Sequence, residues 1–272
     1  MKQDRLQQQR LELKYVISEH KALAIRDYVR SYLDLDEYSQ DQPDYSYRIH
    51  SLYLDSDWLK TYWDTINGLK NRYKLRLRYY DDQPSSPVFF EIKRRMNDAI
   101  SKQRGGVHRD AVDWLLAGHL PEPRHLLSEN PKELVALQRF SNLMLGIQAS
   151  PKMHVTYSRE AWMSAHGNSI RVTMDRDVYC SPEFSAQLGT QLGNPVKPFG
   201  EKVILELKFT DRFPNWFREL VETFDLMRGA AAKYADGVTL VGEPFFYDRA
   251  SRWASSGSSM LHPATLQTGL EA

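Results

Sequence analysis

The chain has 272 residues, 36 Lys and Arg against 35 Asp and Glu, eight His and one Cys; its hydrophobic share is 42% and its formal net charge is +1. That length fits one barrel or sandwich domain or two small ones, and the composition excludes a disordered chain. The single Cys180 excludes a disulfide framework or a multi-cysteine metal site, and the near-zero charge argues against bulk attraction to nucleic acid or membrane.

Period-two patterning predicts a first strand over residues 10–17. Behind Ser18, a plausible N-cap, Ile25, Tyr28, Val29 and Tyr32 recur at helical spacing. A strand over 47–55 precedes a helix carrying Leu59, Tyr62, Trp63 and Ile66, with Ser56 at its start and Asn67-Gly68 as its stop. Strands follow over 71–80 and 87–95, then a helix from Pro131 to Leu145. Further strands are expected over 152–160, 169–175 and 202–210, then a helix with Phe217, Leu220, Val221 and Phe224 behind Pro214, and a last strand over 237–242. Each helical stripe reads as core packing. Helices do not alternate regularly with strands, so the expected class is α+β with an antiparallel sheet, not a doubly wound one. Residues 1–248 read as one domain, and the Ser-rich stretch 249–272 as a flexible polar tail.

The strands carry charge on one face. Along Arg72-Tyr-Lys-Leu-Arg-Leu-Arg-Tyr79, side chains alternate, so Lys74, Arg76 and Arg78 project together, opposite Leu75 and Leu77. Cations two residues apart sit about 6.5–7 Å from one another and repel by about 2.5 kcal/mol at an effective dielectric near 20. Glu12-Leu-Lys14, Glu91-Ile-Lys93 and Glu206-Leu-Lys208 each place a Glu and a Lys on one face, with the same order of sign. Glu19-His-Lys21 matches that spacing too, but at a helix start, where it carries no such meaning. Arg171 and Asp175 share a face, and Arg159 adds another cation. Two arrangements accommodate these faces: an open sheet with a solvated polar side, or a closed one whose apolar sides meet helices while charged sides line a lumen. Such a lumen suits a multiply charged anion and a hard divalent cation.

The ordered series Arg10-x-Glu12-x-Lys14-Tyr15, Ser51-Leu-Tyr-Leu-Asp55, Lys74-x-Arg76-x-Arg78-x-Tyr80, Glu91-x-Lys93, Tyr157-x-Arg159, Arg171-Val-Thr-Met-Asp175, Glu206-x-Lys208 and Lys233-Tyr234 resembles the VTC domain. That is the polyphosphate-polymerase branch of the triphosphate tunnel metalloenzyme, or CYTH-like, superfamily. The resemblance implies an antiparallel eight-stranded closed barrel with helices packed outside. It implies that Lys14, Arg76, Arg78, Lys93, Arg171 and Lys233 contact phosphates, with Lys102 as a further lysine, and that Glu206, with Glu91 and Glu12 behind it, holds the metal. Arg10 stands where the wider superfamily has its first acidic residue, which favours polymerase over hydrolase, and Ala232 stands where the family often has Ser.

The expected activity is ATP-dependent transfer of the γ-phosphoryl group to a growing inorganic polyphosphate chain, with Mn2+ or Mg2+ as cofactor. Arg76, Arg78, Arg171 and Lys93 are the candidate catalytic residues; Lys14, Lys74, Lys102, Arg159, Lys208 and Lys233 complete the phosphate-binding set. Phosphoryl transfer asks mainly for positioning and charge neutralisation, and a terminal phosphate acceptor needs no general base. A triphosphate hydrolase of the same fold and a non-catalytic polyphosphate-binding module are the alternatives. Expected partners are ATP, pyrophosphate and polyphosphate, with no nucleic acid and a possible membrane-protein partner for export. A cytoplasmic location is expected, since no apolar run approaches the roughly 18 residues of a membrane span and the start MKQDRLQQQR lacks a signal's apolar stretch. His108-Arg109-Asp110 mimics a kinase catalytic loop, but Leu115 replaces its Asn and no Gly-rich loop precedes it. No P-loop or His-Glu-x-x-His motif occurs.

Overall fold

A computed structural model describes residues 10–97, 99–165, 169–210 and 212–247. Its strands are β1 (Arg10–Ile17), β2 (Asp34–Leu35), β3 (Ser46–Asp55), β4 (Asn71–Tyr79), β5 (Val88–Met96), β6 (Ala99–Val107), β7 (Ser150–Met163), β8 (Ile170–Pro182) and β9 (Val203–Thr210). They form one antiparallel sheet in the order β2-β7-β3-β4-β5-β6-β1-β9-β8, and β8 pairs again with β7. The sheet therefore wraps on itself, but it is not zipped shut into the expected closed barrel. β1 pairs with β9 along its whole length, whereas among the described residues its pairing with β6 is the single couple Arg10↔Ile100. Below that couple the seam is bridged by side chains, Lys93 of β5 reaching Glu12 of β1 at 3.1 Å.

The helices are α1 (Glu19–Val29), α2 (Glu37–Gln40), α3 (Lys60–Ile66), α4 (Val112–Leu116), α5 (Pro131–Gly146), α6 (Asn215–Thr223) and α7 (Lys233–Val241). Ser18 caps α1, its hydroxyl accepting from the Lys21 amide. The outer faces of the strands bury their apolar residues under these helices. Leu75, Leu77, Phe90 and Ile92 pack with Leu137, Phe140 and Met144 of α5. Val203, Leu205, Leu207 and Phe209 pack with Ile25 and Val29 of α1 and Phe217 and Leu220 of α6. Burying each such side chain contributes about 1.5–3 kcal/mol, so these apolar faces fix which way the charged faces point.

Two expectations fail for physical reasons. Residues 237–242, expected as a strand from their Val-Thr-Leu-Val run, lie mostly in α7 and its end. Tertiary packing overrides strand propensity there, because Gly237 lets the helix settle on β8: a Cβ at that position would meet the Cys180 Sγ at 2.8 Å. Nor do all helices pack outside. Ile204 shares its strand face with Glu206, and Val155 shares its face with Tyr157 and Arg159, yet both lie in one cluster with Ala235 and Val238 of α7. The inner faces of β7, β8 and β9 turn apolar at one end, and α7 covers that end from within.

β6 was not expected. Its sequence, AISKQRGGV, is polar and contains two glycines, which is weak strand material. Gly105 is required by close approach, since a Cβ would lie 2.8 Å from the Glu133 carbonyl of α5. No helix among the described residues is long and apolar enough to cross a membrane.

Candidate functional site

The inner faces enclose a cavity of about 1120 Å3. All ten cations singled out in the sequence line it: Lys14, Lys74, Arg76, Arg78, Lys93, Lys102, Arg159, Arg171, Lys208 and Lys233. Arg72, Arg94, Arg95, Arg104 and Arg228 join them, so fifteen basic side chains face four lining carboxylates, Glu12, Asp36, Glu37 and Glu206. With a net charge of only +1 for the chain, positive charge is gathered here and balanced elsewhere. That asymmetry distinguishes the enclosed lumen from a solvated polar face.

The cations are fixed by a small number of buried acids. Glu91, 0% exposed, accepts from the Arg76 Nη2 at 2.6 Å and from the Lys102 Nζ at 3.2 Å. Asp175 accepts two bonds from Arg159, at 2.6 and 2.7 Å, and one from Lys233 at 2.6 Å. Glu206 meets Lys208 at 2.5 Å, Lys14 at 3.1 Å, and Arg159 and Lys233 at the edge of contact. Lys93 and Lys14 share Glu12, and Arg171 donates to Asp36 at 2.7 Å. Burial works to raise Glu12, yet Lys93, Lys14 and Lys208 outweigh it and hold the carboxyl at about 2. The same balance, with Lys208 the strongest neighbour, keeps Glu206 well below the usual carboxylate range.

Two groups have capacity to spare. Lys74 has no ion-pair partner among the described residues; burial, with Lys14, Lys93 and Arg72 nearby, pushes its ammonium down to about 7. Arg78 donates to the Tyr157 hydroxyl at 3.1 Å, while its buried Nε has no hydrogen-bond partner and lies 3.8 Å from Glu91. A buried guanidinium donor left unmade costs about 1–3 kcal/mol or more, which an incoming anion would recover. These side chains hold a polyanion-shaped deficit.

A profile of the VTC domain matches residues 9–241. The chain belongs to the VTC domain family. Among curated proteins, none matches it significantly. Among solved structures, the crystal structure of a candidate adenylate cyclase from Bacillus halodurans superposes with a TM-score of 0.46 at 13% identity, over 82% of this chain and 92% of that one.

Within this VTC domain the three carboxylates expected to hold a metal fall into two groups. Glu12 and Glu206 line the cavity and share Lys14, so they face one space. Glu91 does not line it; Arg76 and Lys102 occupy its oxygens, as Lys93 occupies those of Glu12 and Lys14 and Lys208 those of Glu206. No cluster of three or more His, Cys, Asp or Glu suited to a metal occurs among the described residues. The donor set fits a hard cation that takes most of its ligands from phosphate and water, as Mg2+ does with one or two carboxylates.

The sequence reading missed Asp36, which lies before α2 and accepts from both Arg171 and the Tyr47 hydroxyl. Nothing in its local pattern marks it. Asp55, part of the family series, serves the fold. It is 0% exposed and accepts from the Thr61 and Tyr62 amides and the Thr61 and Tyr234 hydroxyls. It thereby caps α3, a role shared with Ser56, whose hydroxyl accepts from the Lys60 amide. It also anchors Tyr234 beside Lys233.

The crowded cations give a signed pH prediction. Lys74 sits at about 7, and burial, with Arg159 and Lys93 against Glu206, brings Lys208 to about 8. An unfolded lysine titrates near 10.4. Between pH 7 and 9 the unfolded chain therefore binds more protons, so ligand-free stability rises with pH. Bound tripolyphosphate restores the missing negative charge, so its stabilising effect shrinks over the same interval. Thermal melts at pH 7, 8 and 9 with and without tripolyphosphate check this, and Lys74→Met should flatten the ligand-free slope.

Proposed function

We propose that this VTC domain is an ATP-dependent polyphosphate polymerase, moving the γ-phosphoryl group of ATP onto the end of an inorganic polyphosphate chain inside the cationic cavity. The observation that carries the reading is the convergence of fifteen basic side chains on one cavity with four carboxylates, around a Lys74 with no ion-pair partner among the described residues and an Arg78 with an unused donor. Family membership supports polyphosphate or nucleotide chemistry.

In this reading Lys14, Arg76, Arg78 and Lys93 grip the triphosphate, with Lys74, Lys102, Lys208 and Lys233 completing the neutralisation. Arg159 and Arg171, each oriented by a buried aspartate, stabilise charge on the transferring group. Glu206 and Glu12 would hold Mn2+ or Mg2+, which when bound adds charge neutralisation to the phosphates. Glu91 acts as the counter-ion that aims Arg76.

The protonation pattern favours transfer to phosphate over transfer to water. A general base works best with a pKa near the operating pH. Of the four lining carboxylates, Glu12 and Glu206 are held far below that and Asp36 is engaged by Arg171 and Tyr47, and no histidine among the described residues lines the cavity. Lys74, which burial brings to about 7, and Lys102 and Lys208, which burial brings to about 8, regain their protons once phosphates bind beside them. A terminal phosphate arrives already ionised and needs no base, whereas water does.

The test is to incubate the purified chain with ATP and Mn2+ or Mg2+, with pyrophosphate as primer, and separate the products on a polyacrylamide gel. A ladder of phosphate chains longer than three units is expected. Orthophosphate without a ladder would replace this reading by a hydrolase, and no ATP turnover with retained tripolyphosphate binding would leave a binding module.

A further inference from the structure

The cavity changes chemically from one end to the other. β4 places Arg72, Lys74, Arg76 and Arg78 on its inner face, one every second residue, and Tyr80 follows at the same spacing. At the Arg72 end the neighbours are Arg94 and Arg95 of the paired strand β5. At the Tyr80 end they are aromatic. Tyr38, Tyr47, Tyr80 and Phe89 line the rim as a continuous arc, with successive ring centroids 5.7, 6.4 and 6.3 Å apart. Arg104 completes it, its guanidinium 4.9 Å from the centre of the Phe89 ring.

Rim aromatics are often simply the edge of a core, but two features set this arc apart. The rings are not stacked face to face on one another; their planes cross at 54°, 50° and 76°. Tyr38 is 62% exposed and Tyr80 39% exposed, so apolar faces are left open to solvent beside a highly charged cavity. The arc is also held in place. The Tyr47 hydroxyl donates to Asp36, and the same carboxylate fixes Arg171. From Arg78 to Tyr80 is one pleat repeat, about 6.6 Å, a step of the size that a ribose spans between a triphosphate and its base.

We propose that the Tyr38–Tyr47–Tyr80–Phe89 arc, with Arg104, is the platform on which the base of a purine nucleoside triphosphate stacks, so that the donor lies base at the aromatic rim and phosphates inward. This rests on the reading of the cavity as a triphosphate site. Recognition then comes from π-faces and a guanidinium, which tolerate any base edge and reward ring area. Tyr38 uses its hydroxyl on Glu37, so that carboxylate is engaged at the rim. The donor preference is for purines over pyrimidines, with little distinction between ATP and GTP.

The experiment is calorimetric titration of tripolyphosphate, ATP, GTP and CTP into the full chain and into a Tyr38→Ala/Tyr80→Ala variant, with melting temperature as the control for folding. In the wild type, ATP and GTP should bind within about three-fold of each other and CTP more weakly. The double variant should lose about ten-fold or more in ATP affinity and keep its affinity for tripolyphosphate. Equal losses for ATP and tripolyphosphate, or unchanged ATP binding, would overturn the platform while leaving the cavity reading intact. Failure of the wild type to bind tripolyphosphate at all would instead remove the cavity reading, and the platform with it.

Discussion

Glu206→Gln should abolish metal-dependent ATP turnover, a fall on the order of 10²–10³ or more, and lower stability as well. The carboxylate is 3% exposed and stands among Lys208, Lys14, Lys233 and Arg159. Removing one partner of a buried charge cluster typically costs about 3–5 kcal/mol, because the others are left facing one another. The amide keeps the shape but cannot counter four cations or bind a hard metal well. Adding tripolyphosphate should restore much of the lost thermal stability, since phosphate oxygens supply the missing charge, while turnover stays low. Turnover at the wild-type rate would remove Glu206 from the metal-binding role.

Asp55→Ala should have the largest effect on folding. Its carboxylate is fully buried and accepts five bonds, from the amides of Ser56, Thr61 and Tyr62 and the hydroxyls of Thr61 and Tyr234. Several buried donors are orphaned at once, at about 1–3 kcal/mol each, so a loss of about 3–5 kcal/mol is expected. For a chain of this length that is a fall in melting temperature of about 10 °C. The consequence reaches the cavity, because Tyr234 follows Lys233, and Lys233 pins Asp175 at 2.6 Å. Asp55→Asn should be milder. A melt of the alanine variant within a degree or two of wild type would contradict this account of the α3 start.

Much of this was legible in the sequence because strand periodicity has only two phases. Once Leu75, Leu77, Leu205 and Leu207 are assigned to a buried face, Arg76, Arg78, Glu206 and Lys208 must share the other, and the structure places the described cations of that face on one cavity. Helix starts were legible at Ser18 and Pro131, where cap chemistry is local. What was not legible depends on long-range contact. β6 is a strand only because β5 and α5 flank it, although the alternation Lys102-x-Arg104 was a usable signal. α7 is a helix despite a Val-Thr-Leu-Val run, because the end of the sheet's inner face is apolar and takes it in. Asp36 meets Arg171 across 135 positions of chain, a pairing no local pattern encodes. The expected tail 249–272 lies outside the described residues. Closure was overstated, since among the described residues β1 and β6 meet at one residue pair.

The central claim is that the cavity's cations with spare donor capacity exist to hold phosphate, and the most direct test uses Lys74 and Arg78. Lys74 has no ion-pair partner among the described residues and Arg78 has none nearer than 3.8 Å. Tripolyphosphate titrated into Lys74→Met/Arg78→Met should bind about 100-fold or more weakly than to wild type, two charge-assisted contacts at about 1.5–3 kcal/mol each; ligand-free Lys74→Met alone should melt at or above wild type, whereas the double variant melts lower because buried Glu91 loses a cationic neighbour. Wild-type affinity in a folded double variant would contradict the account.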